Sequence, residues 1–172
     1  MKIHTLLIVT VLFVLPACAP LAVNTAFPET PTVIPINTPS FTPENIAYAD
    51  KAAEKISVWL GTYTEFNSYH QLAMGQKAIF KSAVWKDTVT VSLDKLSVVT
   101  DELLQLQPVP PAMQTINANL IHSMEETKLM IEKYRTFLKE NDQTMLEEIN
   151  SHSEKALIYM KLATDEIQPY LK

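Results

Sequence analysis

Beyond residue 42, apolar and small side chains recur every three or four positions along most of the chain. This spacing marks one face of an α-helix. The pattern predicts four amphipathic helices, which span about residues 43–74, 76–107, 110–140 and 143–168. Thr42-Pro43 predicts where the first helix starts, because a hydroxyl group can cap a helix and proline suits its first position.

Helices of similar length that are joined by short connections pack as antiparallel neighbours. We therefore predict an all-α domain over residues 44–172, an up-down-up-down four-helix bundle. The second helix has a weak point, because the β-branched run Thr88–Val91 locally favours a strand. This run predicts a kink or a break near Asp87. Gly75 is expected to close the first helix.

Residues 18–43 follow a different pattern, in which Pro28, Pro31, Pro35, Pro39 and Pro43 recur among threonines. Proline fixes φ, has no N–H group, and disfavours helical geometry in the residue before it. We therefore expect a semi-stiff linker of polyproline-II type in this segment rather than a helix or a strand.

The first 17 residues have the organisation of a signal peptide. A positive charge precedes the apolar run 5–15, which is too short to cross a bilayer core of ~30 Å. Leu15, Pro16 and Ala17 then precede Cys18, and this quartet resembles the bacterial lipobox, although Pro16 stands where that motif usually has Ala, Ser or Thr. The resemblance implies cleavage before Cys18 and a lipid on its sulfur. Such a lipid would hold the chain on the extracytoplasmic face of the cell membrane.

Two alternatives to a lipid anchor stay open. Ala17-Cys18-Ala19 also has the small-x-small form of an ordinary secretory cleavage site. Against it, Pro20 would then occupy the first position of the mature chain, where that peptidase works poorly. The other alternative is an uncleaved membrane anchor over residues 3–23, which Pro16 and Pro20 would interrupt.

Charge and cysteine content narrow the expected partners. The net charge is −5 and no cluster of Lys and Arg stands out, which argues against a nucleic-acid partner. A single cysteine allows no intrachain disulfide and no cysteine-based zinc site. The expected partners are the membrane, through the lipid anchor, and an envelope protein or peptide. The folded part resembles uncharacterised extracytoplasmic helical-bundle lipoproteins.

The candidate metal or cofactor ligands are His70, His122 and His152, because four-helix bundles hold such sites between their helices. With a rise of ~1.5 Å per residue, these histidines lie about 6, 27 and 15 Å below one end of the predicted bundle, too far apart to share an ion. The sequence also has no Glu-x-x-His pair and no Gly-x-Ser-x-Gly motif. We therefore expect no metal, no cofactor and no enzymatic activity. A metal- or cofactor-binding bundle that uses these histidines is the alternative function.

Trp59, Tyr63, Phe66 and Tyr69 give the first helix more aromatic side chains than one narrow stripe can bury. We therefore expect part of this face to be a contact surface in a non-catalytic binding module. In the alternative interpretation, two neighbouring helices cover a wide apolar face, and the aromatic side chains belong to the core.

Overall fold

The computed structural model describes residues 39–171. Within this range the chain forms four long helices and no strand, which confirms the prediction of an all-helical bundle. The helices are α1 (Pro43–Gly75), α2 (Ala83–Leu104), α3 (Gln114–Glu140) and α4 (Met145–Ile167). Short 3₁₀ turns at Lys77–Lys81, Pro111–Met113 and Gln168–Tyr170 lie beside them.

Local capping interactions set the ends of several helices. The side chain of Thr42 accepts a hydrogen bond of 3.3 Å from the backbone N–H of Asn45, and Pro43 follows as the first helical residue, as the sequence predicted. Ser82 caps α2 in the same way, through the N–H of Trp85. Asn141 ends α3 in the left-handed conformation, with φ of 55°.

The predicted break near Asp87 is wrong in position. The helical run is interrupted at Gln76–Ser82, and α2 is then continuous from Ala83 to Leu104. Packing outweighs the strand preference of Thr88–Val91, because Val89 is fully buried in the bundle. The hydroxyl groups of Thr88 and Thr90 donate to carbonyl groups one turn earlier, so their hydrogen bonds are satisfied within the helix. Helix α1 ends at Gly75, where the sequence predicted its end, but Gly75 does not adopt a positive φ.

Ion pairs between the helices show their relative directions. Lys55 on α1 pairs with Glu102 on α2, and Glu65 further along α1 pairs with Lys95, which comes earlier on α2. Helices α2 and α3 also run in opposite directions, because Asp94 pairs with Arg135, while Asp101, further along α2, pairs with Lys128, which comes earlier on α3. On α3 and α4, Glu126 contacts His152 while Lys133 contacts Glu148. Consecutive helices are therefore antiparallel.

This arrangement gives the bundle two distinct ends. We call the end with the start of α1, the α2–α3 connection and the end of α4 the base, and the end with the other two connections the tip. At the base, the rings of Phe41 and Tyr170 lie 5.5 Å apart, so the two ends of the described chain meet there. At the tip, Phe80 packs edge-on against Trp85 and Phe137, with ring centroids 5.3 and 5.1 Å apart.

Candidate contact surface

The three histidines have separate partners in the bundle. His70 is buried, and a hydrogen bond of 2.9 Å joins its Nδ1 to the hydroxyl of Tyr134. His152 Nδ1 lies 2.6 Å from Oε2 of Glu126 on the neighbouring helix. His122 is exposed, with Nδ1 3.4 Å from a carboxylate oxygen of Glu125. Within residues 39–171, no group of three or more His, Cys, Asp and Glu side chains is placed to hold a metal ion.

Burial also determines the protonation of the polar groups around His70. Desolvation lowers the pKa of His70 below its usual value, while a hydrogen bond with the side chain of Asn150 raises it by a smaller amount. The pKa of Tyr134 is raised, again by burial, so its hydroxyl stays protonated. His70 is therefore a neutral core residue of α1 that bonds to Tyr134 of α3, and the contacts around it are those of a structural polar group.

The aromatic side chains of α1 do not form the exposed surface that was expected of them. Trp59, Tyr63 and Phe66 are buried, and only Tyr69 is partly accessible. Trp59 and Tyr63 stack with ring centroids 5.0 Å apart, and the Tyr63 hydroxyl forms a hydrogen bond with Ser153 on α4. The expectation is corrected in favour of its alternative, in which neighbouring helices cover a wide apolar face.

A different row of apolar side chains is accessible to solvent. Val84, Val91 and Val98 follow one another at intervals of seven residues on α2, and 76%, 55% and 58% of their respective surfaces are exposed. Seven residues are close to two helical turns, so the three side chains form a line about 21 Å long. We call this line the valine row. Valine is a weaker helix former than alanine, and burial within residues 39–171 does not account for it at these positions.

The valine row belongs to a repeat that covers nearly all of α2. Residues 84–104 consist of three heptads, VWKDTVT, VSLDKLS and VVTDELL. The first position of each heptad is valine and the fourth is aspartate, and the sixth is a buried apolar residue (Val89, Leu96 and Leu103). Packing in the core explains the sixth position but not the first or the fourth. The repeat is visible in the sequence, and a search limited to the core stripe of each helix misses it.

The aspartates of the repeat, Asp87, Asp94 and Asp101, form a second line beside the valine row, which we call the aspartate row. Oδ1 of Asp94 bonds to Arg135 of α3, and Oδ1 of Asp101 bonds to Lys128, each over 2.7 Å. Both pairs are solvent-exposed, with the Asp94 and Asp101 side chains 61% and 50% accessible. Asp87 forms no ion pair within residues 39–171.

Helix α1 has two exposed apolar side chains, Val58 and Leu72, each seven residues from Glu65 and therefore on the same face of α1 as that residue, which pairs with Lys95 of α2. The antiparallel register set by the pairs Lys55–Glu102 and Glu65–Lys95 places Val58 level with the base end of the valine row. The same register places Leu72 level with its tip end. These residues and the valine row make up one mixed apolar and charged surface, which is the best candidate for a contact site in residues 39–171.

The predicted cleavage motif, Leu15, Pro16 and Ala17, and the predicted lipid-attachment residue Cys18 lie outside the described residues, as does most of the linker. No helix between residues 39 and 171 has both the length and the apolar character needed to cross a membrane. No protein-family model, curated protein or solved structure matches the chain. Any statement about function therefore depends on the residues themselves.

Proposed function

We propose that this protein is a lipid-anchored binding module on the extracytoplasmic face of a bacterial membrane, without catalytic activity. Cleavage before Cys18 would leave the lipid on the sulfur of that residue, and residues 18–43 would connect the lipid to the bundle. The bundle would bind an envelope protein or peptide. The observation that carries the binding role is the valine row, a regular line of exposed apolar side chains that the core does not require.

The position of the chain ends supports this arrangement. The chain enters α1 at the base, where Phe41 contacts Tyr170. At ~3.1 Å per residue in a polyproline-II conformation, a linker of about 25 residues would reach up to ~75 Å from the membrane. This reach would suit a partner that is itself part of the envelope.

The alternative function, a metal- or cofactor-binding bundle, receives no support from the described residues. Each histidine is paired with a different side chain, and His70 and His152 contribute to the contacts between helices. Ser153, beside His152 in the sequence, is bonded to Tyr63 rather than to a histidine. These polar side chains serve the packing of the bundle, so we favour binding through the outer surface.

Site-specific photo-crosslinking tests the binding role. A photoreactive amino acid replaces Val91 in the full chain, expressed in its host, and the matched control replaces Ile158, an exposed apolar residue on α4. We expect a discrete adduct of defined mass from position 91 and none from position 158. Equal yields of the same adducts from both positions, or no adduct from position 91, would contradict the proposal.

A further inference from the structure

On the premise that α2 is a binding face as proposed above, we propose that its occupant is an amphipathic helix of a partner protein, with apolar and basic side chains that each repeat every seven residues. The apolar side chains of that helix would pack along the valine row, and its Lys or Arg side chains would face the aspartate row.

The shape of the surface favours a helix. The exposed valines of α2 are arranged in a line, and they keep a heptad spacing along nearly all of that helix. A second helix that lies along α2 presents its own side chains with nearly the same period, so equivalent contacts recur in each heptad. An extended strand has a period of two residues and would match only isolated positions of this line.

The charges favour a basic partner. Three aspartates flank the valine row on one side, while the other side has Thr88, Lys95 and Glu102. Asp87 is free of ion pairs within the described residues, and the carboxylates of Asp94 and Asp101 are half or more exposed. A carboxylate has two oxygens and can accept bonds from two cations at once. Basic side chains of a partner can therefore bind the aspartate row without displacing Arg135 or Lys128.

A second copy of this chain matches the surface less well. If two α2 helices pair in parallel along their valine rows, Asp94 faces Lys95 of the other copy, but Asp101 faces Glu102, so attraction and repulsion offset each other. If they pair in antiparallel, the two aspartate rows lie on the same side and repel. A partner with basic residues avoids both conflicts.

Geometry also relates the spacing in the partner to its orientation. On α2, each aspartate lies three residues after a valine. In an antiparallel partner, a basic residue three positions after each apolar one lies on the same side as the aspartates. A parallel partner turns the opposite flank of its apolar line toward the aspartate row. Its basic residue must therefore lie four positions after each apolar one.

Two synthetic helical peptides of three heptads serve as probes. Each has a leucine in every heptad and a lysine either three or four residues after it, and matched control peptides have glutamate in place of lysine. Binding to the full chain in a mild nonionic detergent is measured by fluorescence anisotropy. We expect one lysine peptide to bind at least about tenfold more tightly than its glutamate control, because three exposed charge pairs change sign.

Protein variants show whether the bound peptide lies on α2. Changing Val84, Val91 and Val98 together to threonine keeps β-branched side chains and removes apolar surface. This change should weaken binding by about tenfold or more, whereas the matched change of Ile158 and Leu162 on α4 should leave it unaltered. Asp87→Lys should reduce the preference for lysine over glutamate, and it reports on the charge even if the triple variant folds poorly.

Three results would overturn the inference. The first is equal binding of lysine and glutamate peptides, or no binding of either. The second is equal loss of binding in the α2 and α4 variants. In the third, the protein binds no peptide but associates with itself in analytical ultracentrifugation, and the valine-row variant abolishes this association. That result would assign the surface to a second copy of the chain, and the proposed binding role of α2 would still stand. Failure of the crosslinking experiment, in contrast, would contradict the binding role of α2.

Discussion

The heptad repeat of α2 predicts effects of very different size for two truncations that are only five residues apart. Leu96 occupies the buried position of its heptad and is fully inaccessible to solvent, while Val91 occupies the exposed position. Leu96→Ala should lower the free energy of unfolding by about 2–5 kcal/mol, because it removes buried methyl groups and leaves a cavity. Val91→Ala should change it by no more than about 0.5 kcal/mol, because the lost side chain is exposed and alanine is the better helix former.

Urea unfolding of the full chain, followed by circular dichroism at 222 nm, measures both effects. With a slope of about 1–3 kcal/mol per molar urea, the Leu96→Ala midpoint should fall by about 0.7 M or more while the Val91→Ala midpoint stays nearly constant. The comparison is made at a low protein concentration, so that self-association does not contribute. A loss of about 2 kcal/mol in Val91→Ala would refute the exposure of the valine row, and an unchanged Leu96→Ala protein would refute the packing of α2.

Three further predictions follow from local contacts. Stability should fall when the pH is lowered from 7 to 5, because burial keeps the pKa of His70 in the folded protein below its unfolded value near 6.5, so the unfolded chain takes up the proton first. Urea titrations at both pH values should show a smaller loss of stability in His70→Gln than in the wild type. His122→Gln should keep the wild-type loss. Thr42→Ala should lower the free energy of unfolding by about 1 kcal/mol in the same titration, because it removes the cap of α1. Tyr63→Phe should lower it by about 1 kcal/mol, because Ser153 loses its hydrogen-bond partner, and an unchanged midpoint would contradict that contact.

Some features of the fold are set by residues that are adjacent in the sequence, and these could be predicted from the sequence alone. The start of α1 at Thr42-Pro43 was correct, because capping depends on a hydroxyl and a proline at adjacent positions. The break near Asp87 was misplaced, because local strand preference is weaker than the burial of Val89 and the capping of α2 by Ser82. Strand propensity alone therefore placed the interruption of the helical run at the wrong residue, because packing against the other helices keeps α2 continuous there.

Which apolar residues reach the surface was harder to predict. The aromatic face of α1 is as apolar as an exposed binding surface would be, and only the positions of the other helices show that Trp59 and Phe66 are covered. The valine row was accessible to sequence reasoning through its heptad spacing. One stripe of apolar residues on each helix already accounts for the core, so core packing alone does not point to this second apolar line on α2.

The measurement that tests the proposed anchoring of this module most directly is the mass of its N-terminal peptide. The full chain is expressed in a bacterial host that contains the lipoprotein-processing enzymes, isolated from the membrane fraction, digested and analysed by mass spectrometry. The proposal predicts that the mature chain begins at Cys18 and has a diacylglyceryl group on the sulfur, and that Cys18→Ser abolishes both the cleavage and the lipid. An unmodified Cys18 in the membrane-bound wild-type chain, or a mature chain that begins elsewhere, would contradict it.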